Sequence, residues 1–451
     1  MSRFMMAYGL ASIMLCTGML LRARILFFQK MLVPASVIGG VIGFLLMNIL
    51  AETGITVGTN AEMYTAIVNE LFTISFISIS LTGTSENVDV TAKTRVKGAV
   101  GLGLVWCLLY ALTPMVAAVL LSLIKGTDMD IMYGMLVPFA FCQGPGQSAA
   151  YGAIFETYGW DNAATVAITF SVVGFIAAFS VGISMAKAGI RKGIAKNCGK
   201  IETSVLKGYF SKEEQTEYMV KDTTCSSNIE TLAFHFALIG ICYVMAVGIA
   251  RILSHIPGFL GTSMSSMMFM NGMYAAYIVK WLMRKLKLDF LQENSLQCKI
   301  TGWTSDYLVV CAFMAVPLGI IKKWIIPILL VSAVITVVTL VVCIYFGQRF
   351  GGSNDFERTL GLYGTCTGTV PSGIALVRIV DPNFRTTTSI ELGACNLVML
   401  ASTPVYIIIL GLAAGSIGML SAMLGLLVCV VVYLVALKLF KVWGMKSFSW
   451  K

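Results

Sequence analysis

The chain has 451 residues, of which 57% are hydrophobic and only 12% charged, about half the charged share usual in soluble globular proteins. The mean hydropathy is +0.85. So few charges cannot cover so much apolar surface in water, which excludes a soluble enzyme, a nucleic-acid binder or a disordered chain and points to a polytopic all-α membrane protein. The net charge of +10 does not argue for nucleic acid, because the basic residues stand in short clusters between apolar runs. The 12 cysteines form no CxxC pair, and two histidines, His235 and His255, do not suffice for a histidine metal centre.

In chain order, apolar runs predict membrane helices over residues 5–21, 31–50, 66–81, 96–124 and 162–187. The first is followed by Arg22 and Arg24, so it reads as a retained helix rather than a cleaved leader. A polar stretch over 188–231 belongs in water as a cytoplasmic linker, and Ser211 with Glu214 has the spacing of a capping box. Helices resume over 232–253, 257–283, 305–321, 324–346, 387–412 and 416–440. Two segments, 131–157 and 353–380, are apolar but interrupted. With the amino terminus outside, the carboxyl terminus inside and these two segments not crossing, 27 of the 32 basic residues fall on the inner side, as the positive-inside rule requires. The inner set includes Arg349, Arg358, Arg378 and Arg385.

The interruptions are the expected site. The first centres on Gly144-Pro145-Gly146-Gln147-Ser148 and the second on Thr365-Cys366-Thr367-Gly368-Thr369-Val370-Pro371-Ser372-Gly373. Proline removes a backbone donor, and glycine permits positive φ. Arms of about 10 residues reach only the midplane of a core about 30 Å thick, so each segment reads as a re-entrant hairpin. Backbone groups open at its tip need an ion or a solute as partner. The helix after Pro371 begins with free N–H groups and a positive dipole end, which suits an anion. Hydroxyls of Thr365, Thr367, Thr369 and Ser372 suit a carboxylate or a sodium ion. The competing reading is that such Gly/Ser/Thr density marks close helix packing, but the added prolines and polar clusters fit that less well.

The segments also match each other. Gly152 and Gly373 are 221 positions apart, and the first helices of the two halves begin 227 apart. Each half holds five spans and one hairpin. Five is odd, so the second half is inverted, the plan of many secondary transporters. This divides the chain into a first repeat over 1–187, the linker 188–231, a second repeat over 232–412 and an extra helix with tail over 413–451. Among single polar residues, Glu391 reads equally as a site carboxylate or a helix cap. Asn396 suits sodium or an interhelical hydrogen bond. Asp306 reads as a helix-start cap. Arg378 suits either a solute carboxylate or the topology bias.

The stretch Gly144 to Gly152, continuing through Glu156-Thr157-Tyr158-Gly159 to Asn162-Ala163-Ala164, resembles the first hairpin of the bacterial sodium:glutamate symporter family. Val33 to Gly40 resembles its second span, Leu71 to Thr84 its third, and Gly364 to Gly373 its second hairpin. Gln143-Gly144-Pro145-Gly146-Gln147 stands where that family has a Gly-Gly-His-Gly-Thr-like tip. The resemblance implies an elevator-type homodimer of the bacterial inner membrane, with a fixed scaffold and a mobile unit carrying both hairpins. Its function would be symport of glutamate or a related small carboxylate with sodium as the coupling ion and no other cofactor. Gly144, Gly146, Gln147, Ser148, Thr367, Gly368, Thr369, Ser372 and Arg378 would meet the solute, and Thr365, Glu391 and Asn396 the sodium. The alternatives are a membrane subunit of a sodium-pumping decarboxylase, an intramembrane enzyme, for which Glu391 is too isolated, and a channel, for which no charged ring is evident.

Overall fold

The computed structural model describes residues 3–30, 33–55, 57–82, 92–195, 197, 207–208, 222–225, 227–257, 259–381 and 385–449. The expected capping box at Ser211 and Glu214 lies outside the described residues. All regular structure among those described is helical. In chain order the helices are α1 (Arg3–Arg24), α2 (Leu26–Lys30), α3 (Ala35–Thr53), α4 (Ala61–Leu81) and α5 (Ala92–Leu123), then a 3-10 turn (Ile131–Leu136) leading into α6 (Val137–Phe141). There follow α7 (Pro145–Thr157), α8 (Ala163–Arg191), α9 (Thr231–Leu253), α10 (Phe259–Ser266), α11 (Met268–Lys285) and α12 (Asn294–Met314). The last are α13 (Leu318–Gly347), α14 (Asp355–Cys366), α15 (Val370–Val380), α16 (Thr388–Val398), α17 (Thr403–Ala413) and α18 (Met419–Leu439).

Eight helices among the described residues are long and apolar enough to cross a bilayer. Three of the eleven expected spans are not single apolar helices. Residues 257–283 break at Met267 between α10 and α11, where the Asn271 side chain donates to the carbonyls of Met264 (3.1 Å) and Ser265 (3.4 Å). The expected helix over 305–321 instead starts at Asn294 and ends at Met314, before the Pro317 that opens α13. Its polar first six residues, NSLQCK, carry no hydropathy signal. Asp306 therefore stands in the middle of α12, beside Ser36, and caps nothing. Residues 388–413 form a pair of helices bent by 43°.

The chain divides into two compact units. The first comprises Met1–Met19, Ser36–Val88 and Tyr209–Ala315. Its apolar core includes Ile77, Leu81, Leu238, Cys242 and Ala276. Several polar groups inside it are paired. The Ser78 hydroxyl donates to Gln297 Oε1 (2.7 Å), and Tyr8 stacks on Tyr307 at 4.8 Å. His235 accepts from the Glu293 backbone N–H at Nε2 (2.8 Å), which leaves Nδ1–H to donate to the Thr231 carbonyl (2.7 Å).

The second unit comprises Leu20–Ala35, Asp89–Gly208 and Val316–Lys451, and it contains both interrupted segments. Their arms are short. The 3-10 turn and α6 together rise about 20 Å, and α7, α14 and α15 rise about 20, 18 and 16 Å, each less than the bilayer core. The arms pack against α5, α8 and α13. The chain after α18 returns to this unit: Gly444 N–H donates to Arg349 O (2.8 Å), Ser447 N–H to Gln348 O (2.8 Å) and the Ser447 hydroxyl to Asp355 Oδ2 (2.6 Å).

Candidate functional site

The two breaks lie in one unit and touch. Helix α6 ends at Phe141, and the Cys142 carbonyl beyond it accepts from Trp106 Nε1 of α5 at 2.7 Å. Gly144 then adopts φ 79°, which an L side chain rarely tolerates, and caps α7 with Pro145 in the first turn. In the second segment α14 ends at Cys366, Thr369 is the extended N-cap of α15, and Pro371 occupies its first turn. Neither α7 nor α15 receives a side-chain cap. A side-chain carbon on Gly144 would lie 2.5 Å from Thr369 Cγ2 and 2.9 Å from the Gly368 carbonyl oxygen. The N-cap of one helix therefore rests on the N-cap of the other. Two partial positive charges, each about half an elementary charge, meet at the tips.

The hydroxyls of the other break residues bond locally. Ser148 donates through its hydroxyl to Gly144 O (3.0 Å), Thr367 to Tyr363 O (2.7 Å) and Thr365 to Gly361 O (2.8 Å). The hydroxyls of Thr369 and Ser372 lie 3.2 Å apart. Gln147 is fully buried; its Oε1 accepts from the Tyr110 hydroxyl at 2.5 Å. Its Nε2 faces the Tyr406 hydroxyl with no hydrogen bond of good geometry among the described residues, a desolvation cost of about 1–3 kcal/mol. Gln143 Nε2 donates to the Tyr406 hydroxyl at 3.3 Å and also touches Met399 Sδ. Tyr110, Phe139, Tyr151 and Tyr406 stack behind the first tip, with centroids 3.8–6.0 Å apart.

Three expected site residues stand differently. Arg378 is in the last turn of α15. Eight residues of helix, about 12 Å, separate it from the first residue of that helix, so it is removed from the tips. Glu391 stands in the first turn of α16, and its oxygens are already held by Arg358, at 2.7 Å to Nε and 2.6 Å to Nη2, and by the Thr387 hydroxyl at 2.8 Å. Arg358 also binds Asp355 at 3.0 Å. Counted by sequence among the basic residues of the inner side, Arg358 is in fact buried with two carboxylates in α14, a helix with no exposed residue. Asn396 donates to Gly393 O at 3.1 Å in its own helix.

Gly152 packs against the backbone of Ala163 and Ala164 in the next helix, whereas Gly373 packs against Gly361 and Thr365 in the preceding arm, so these two glycines are not equivalent. Matching the helix starts, Pro145 with Val370, gives an offset of 225, closer to the 227 of the first spans. No cluster of three or more His, Cys, Asp or Glu residues suited to a metal occurs among the described residues. Sequence reasoning missed Tyr110, because a tyrosine inside an apolar run carries no spacing signal. It also missed the Asp355–Arg358 pair, whose i,i+3 spacing was visible.

No curated protein matches the chain. The family model for the sodium/glutamate symporter matches residues 4–386, which include both broken segments and the helices that hold them. With eight apolar helices among its described residues and this match, the chain belongs to the sodium/glutamate symporter family: it is a multi-pass membrane protein of a family of sodium-coupled glutamate transporters, and not an enzyme.

Proposed function

We propose that this protein carries glutamate or a related small carboxylate with sodium by an elevator-type movement, and that the solute binds where the two tips touch. The observation that carries this reading is the contact of Gly144 with Gly368 and Thr369, which brings the amino ends of α7 and α15 together. Helix amino ends stabilise anions by their open N–H groups and dipoles. The donors there are neutral, namely backbone N–H groups, Gln147, Thr369 and Ser372, so the carboxylate is held without a lysine or arginine. Sodium would sit beside it on oxygens from the breaks, including Thr365 and Thr367.

In this reading the second unit is the mobile body, because it carries both segments, and the first is the scaffold of a homodimer. The two halves are inverted repeats, and the broken segments are re-entrant hairpins entering from opposite sides. The offset of 225 between the helix starts supports the repeat. The charge distribution supports an external amino terminus and a cytoplasmic linker and carboxyl terminus, in a bacterial inner membrane. Uptake by the purified protein in liposomes tests the function, with labelled glutamate set against a panel of carboxylates under imposed Na⁺ or H⁺ gradients. Sodium-driven accumulation is expected. Flux that ignores every gradient, or no flux of any anion, contradicts the symporter reading.

A further inference from the structure

At the first tip one buried amide has its acceptor end occupied by a residue outside both broken segments. Gln147 is the third residue of α7 and is fully buried. A carboxamide has one acceptor end and one donor end. The Tyr110 hydroxyl occupies the acceptor end at 2.5 Å, which leaves Nε2 facing the Tyr406 hydroxyl with no hydrogen bond of good geometry among the described residues. Tyr110 belongs to α5, and its ring is held edge-on by Phe139 at 5.7 Å and by Tyr406 at 5.0 Å. The hydroxyl is therefore fixed in place. Gln143, the other amide at this tip, is engaged through its own Nε2 with Tyr406, so it does not compete for the same acceptor.

We propose that Tyr110 is a positioning residue that turns the Gln147 amide so that Nε2 donates to a carboxylate oxygen of the transported solute, and that this pair sets the preference for an acceptor group at the tip. The proposal rests on the tip site described under the proposed function and adds to it the residue that orients the donor. A carboxylate satisfies the buried Nε2. An ammonium or amide N–H group would meet only another donor.

The test is initial-rate uptake of labelled glutamate in proteoliposomes under a sodium gradient. Tyr110→Phe frees the amide, and KM rises roughly tenfold while kcat stays within a few-fold, the scale of one hydrogen bond to a charged group. Gln147→Leu raises KM at least as much. Gln147→Glu exchanges the donor for an acceptor of the same shape. Glutamate then loses ground to one of its two monoamides, glutamine or isoglutamine, as a competitor, and the one that gains identifies the carboxylate read at this point. Sodium-dependent thermal stabilisation by glutamate in detergent needs no turnover, and in Tyr110→Phe its half-maximal concentration rises by the same factor. An active wild type whose variants keep its KM and solute ranking, or a Tyr110→Phe variant that loses only kcat, overturns the role of the pair. A wild type without sodium-driven uptake overturns the tip reading itself, and this proposal with it.

Discussion

At the scale of single residues, the tips and the buried charges obey different constraints. Gly146 lies between Pro145 and Gln147 in the buried first turn of α7. Gly146→Val adds a branched side chain beside the tip, and is expected to abolish transport while the protein still inserts and purifies as a monodisperse species; normal uptake by that variant contradicts the tip assignment. Arg358 is held at 2.6–3.0 Å by Glu391 and Asp355, all three buried. Removing one partner of a buried pair leaves an uncompensated charge and costs about 3–5 kcal/mol, whereas apolar replacement of both is far milder. Arg358→Met therefore lowers the unfolding temperature in detergent sharply, and adding Glu391→Leu recovers part of the loss, while Asp355 keeps its buried charge. A double variant as unstable as the sum of the singles would show that the ion pair is not the cause. The sequence places Glu391 within an apolar span and Arg358 among the inner basic residues, and a pairing across 33 positions leaves no local pattern to read.

At the scale of elements, hydropathy identifies helices that are apolar throughout and misses those with a polar end. Helices α1, α3, α4 and α5 follow the expected spans closely. Helix α12 does not, because its first two turns are polar and its end is set by Pro317. The breaks at 142–144 and 367–369 were legible, because Gly-Pro and Thr-x-Pro interrupt otherwise helical runs. The inverted plan lets the two tips meet, but which residues touch was not legible, since it depends on how α5 and α8 pack against both arms. The tail after α18 carries its own prediction. Ser447 holds the entrance of the second segment through Gln348 and Asp355, and Phe448 packs edge-on against Phe356 at 5.5 Å. Ser447→Ala removes the hydroxyl bond to a carboxylate and should cost about 1–3 kcal/mol, seen as a modest fall in unfolding temperature. An unchanged temperature would mean that the tail does not hold that entrance.

At the scale of the whole molecule, the low charge count sets the class and the placement of the charges sets the proposed orientation. Cys225 offers a direct check, because it lies exposed in the polar stretch before α9, and the Ser227 hydroxyl, at 3.1 Å, holds its thiol below the ordinary cysteine range. A lowered thiol is more reactive near neutral pH. A membrane-impermeant maleimide should therefore label Cys225 in inside-out vesicles and not in right-side-out ones. The reverse pattern contradicts the orientation taken from the basic residues.

The central claim is that the touching amino ends of α7 and α15 bind the transported carboxylate. It is tested most directly by sodium-driven glutamate uptake in proteoliposomes, comparing the wild type with Gly144→Ala at matched insertion. Gly144 has φ 79°, and a side-chain carbon there meets Thr369 and Gly368 at 2.5 and 2.9 Å. The account predicts accumulation by the wild type only under an inward sodium gradient, and none by Gly144→Ala. Accumulation by Gly144→Ala at the wild-type rate would contradict it.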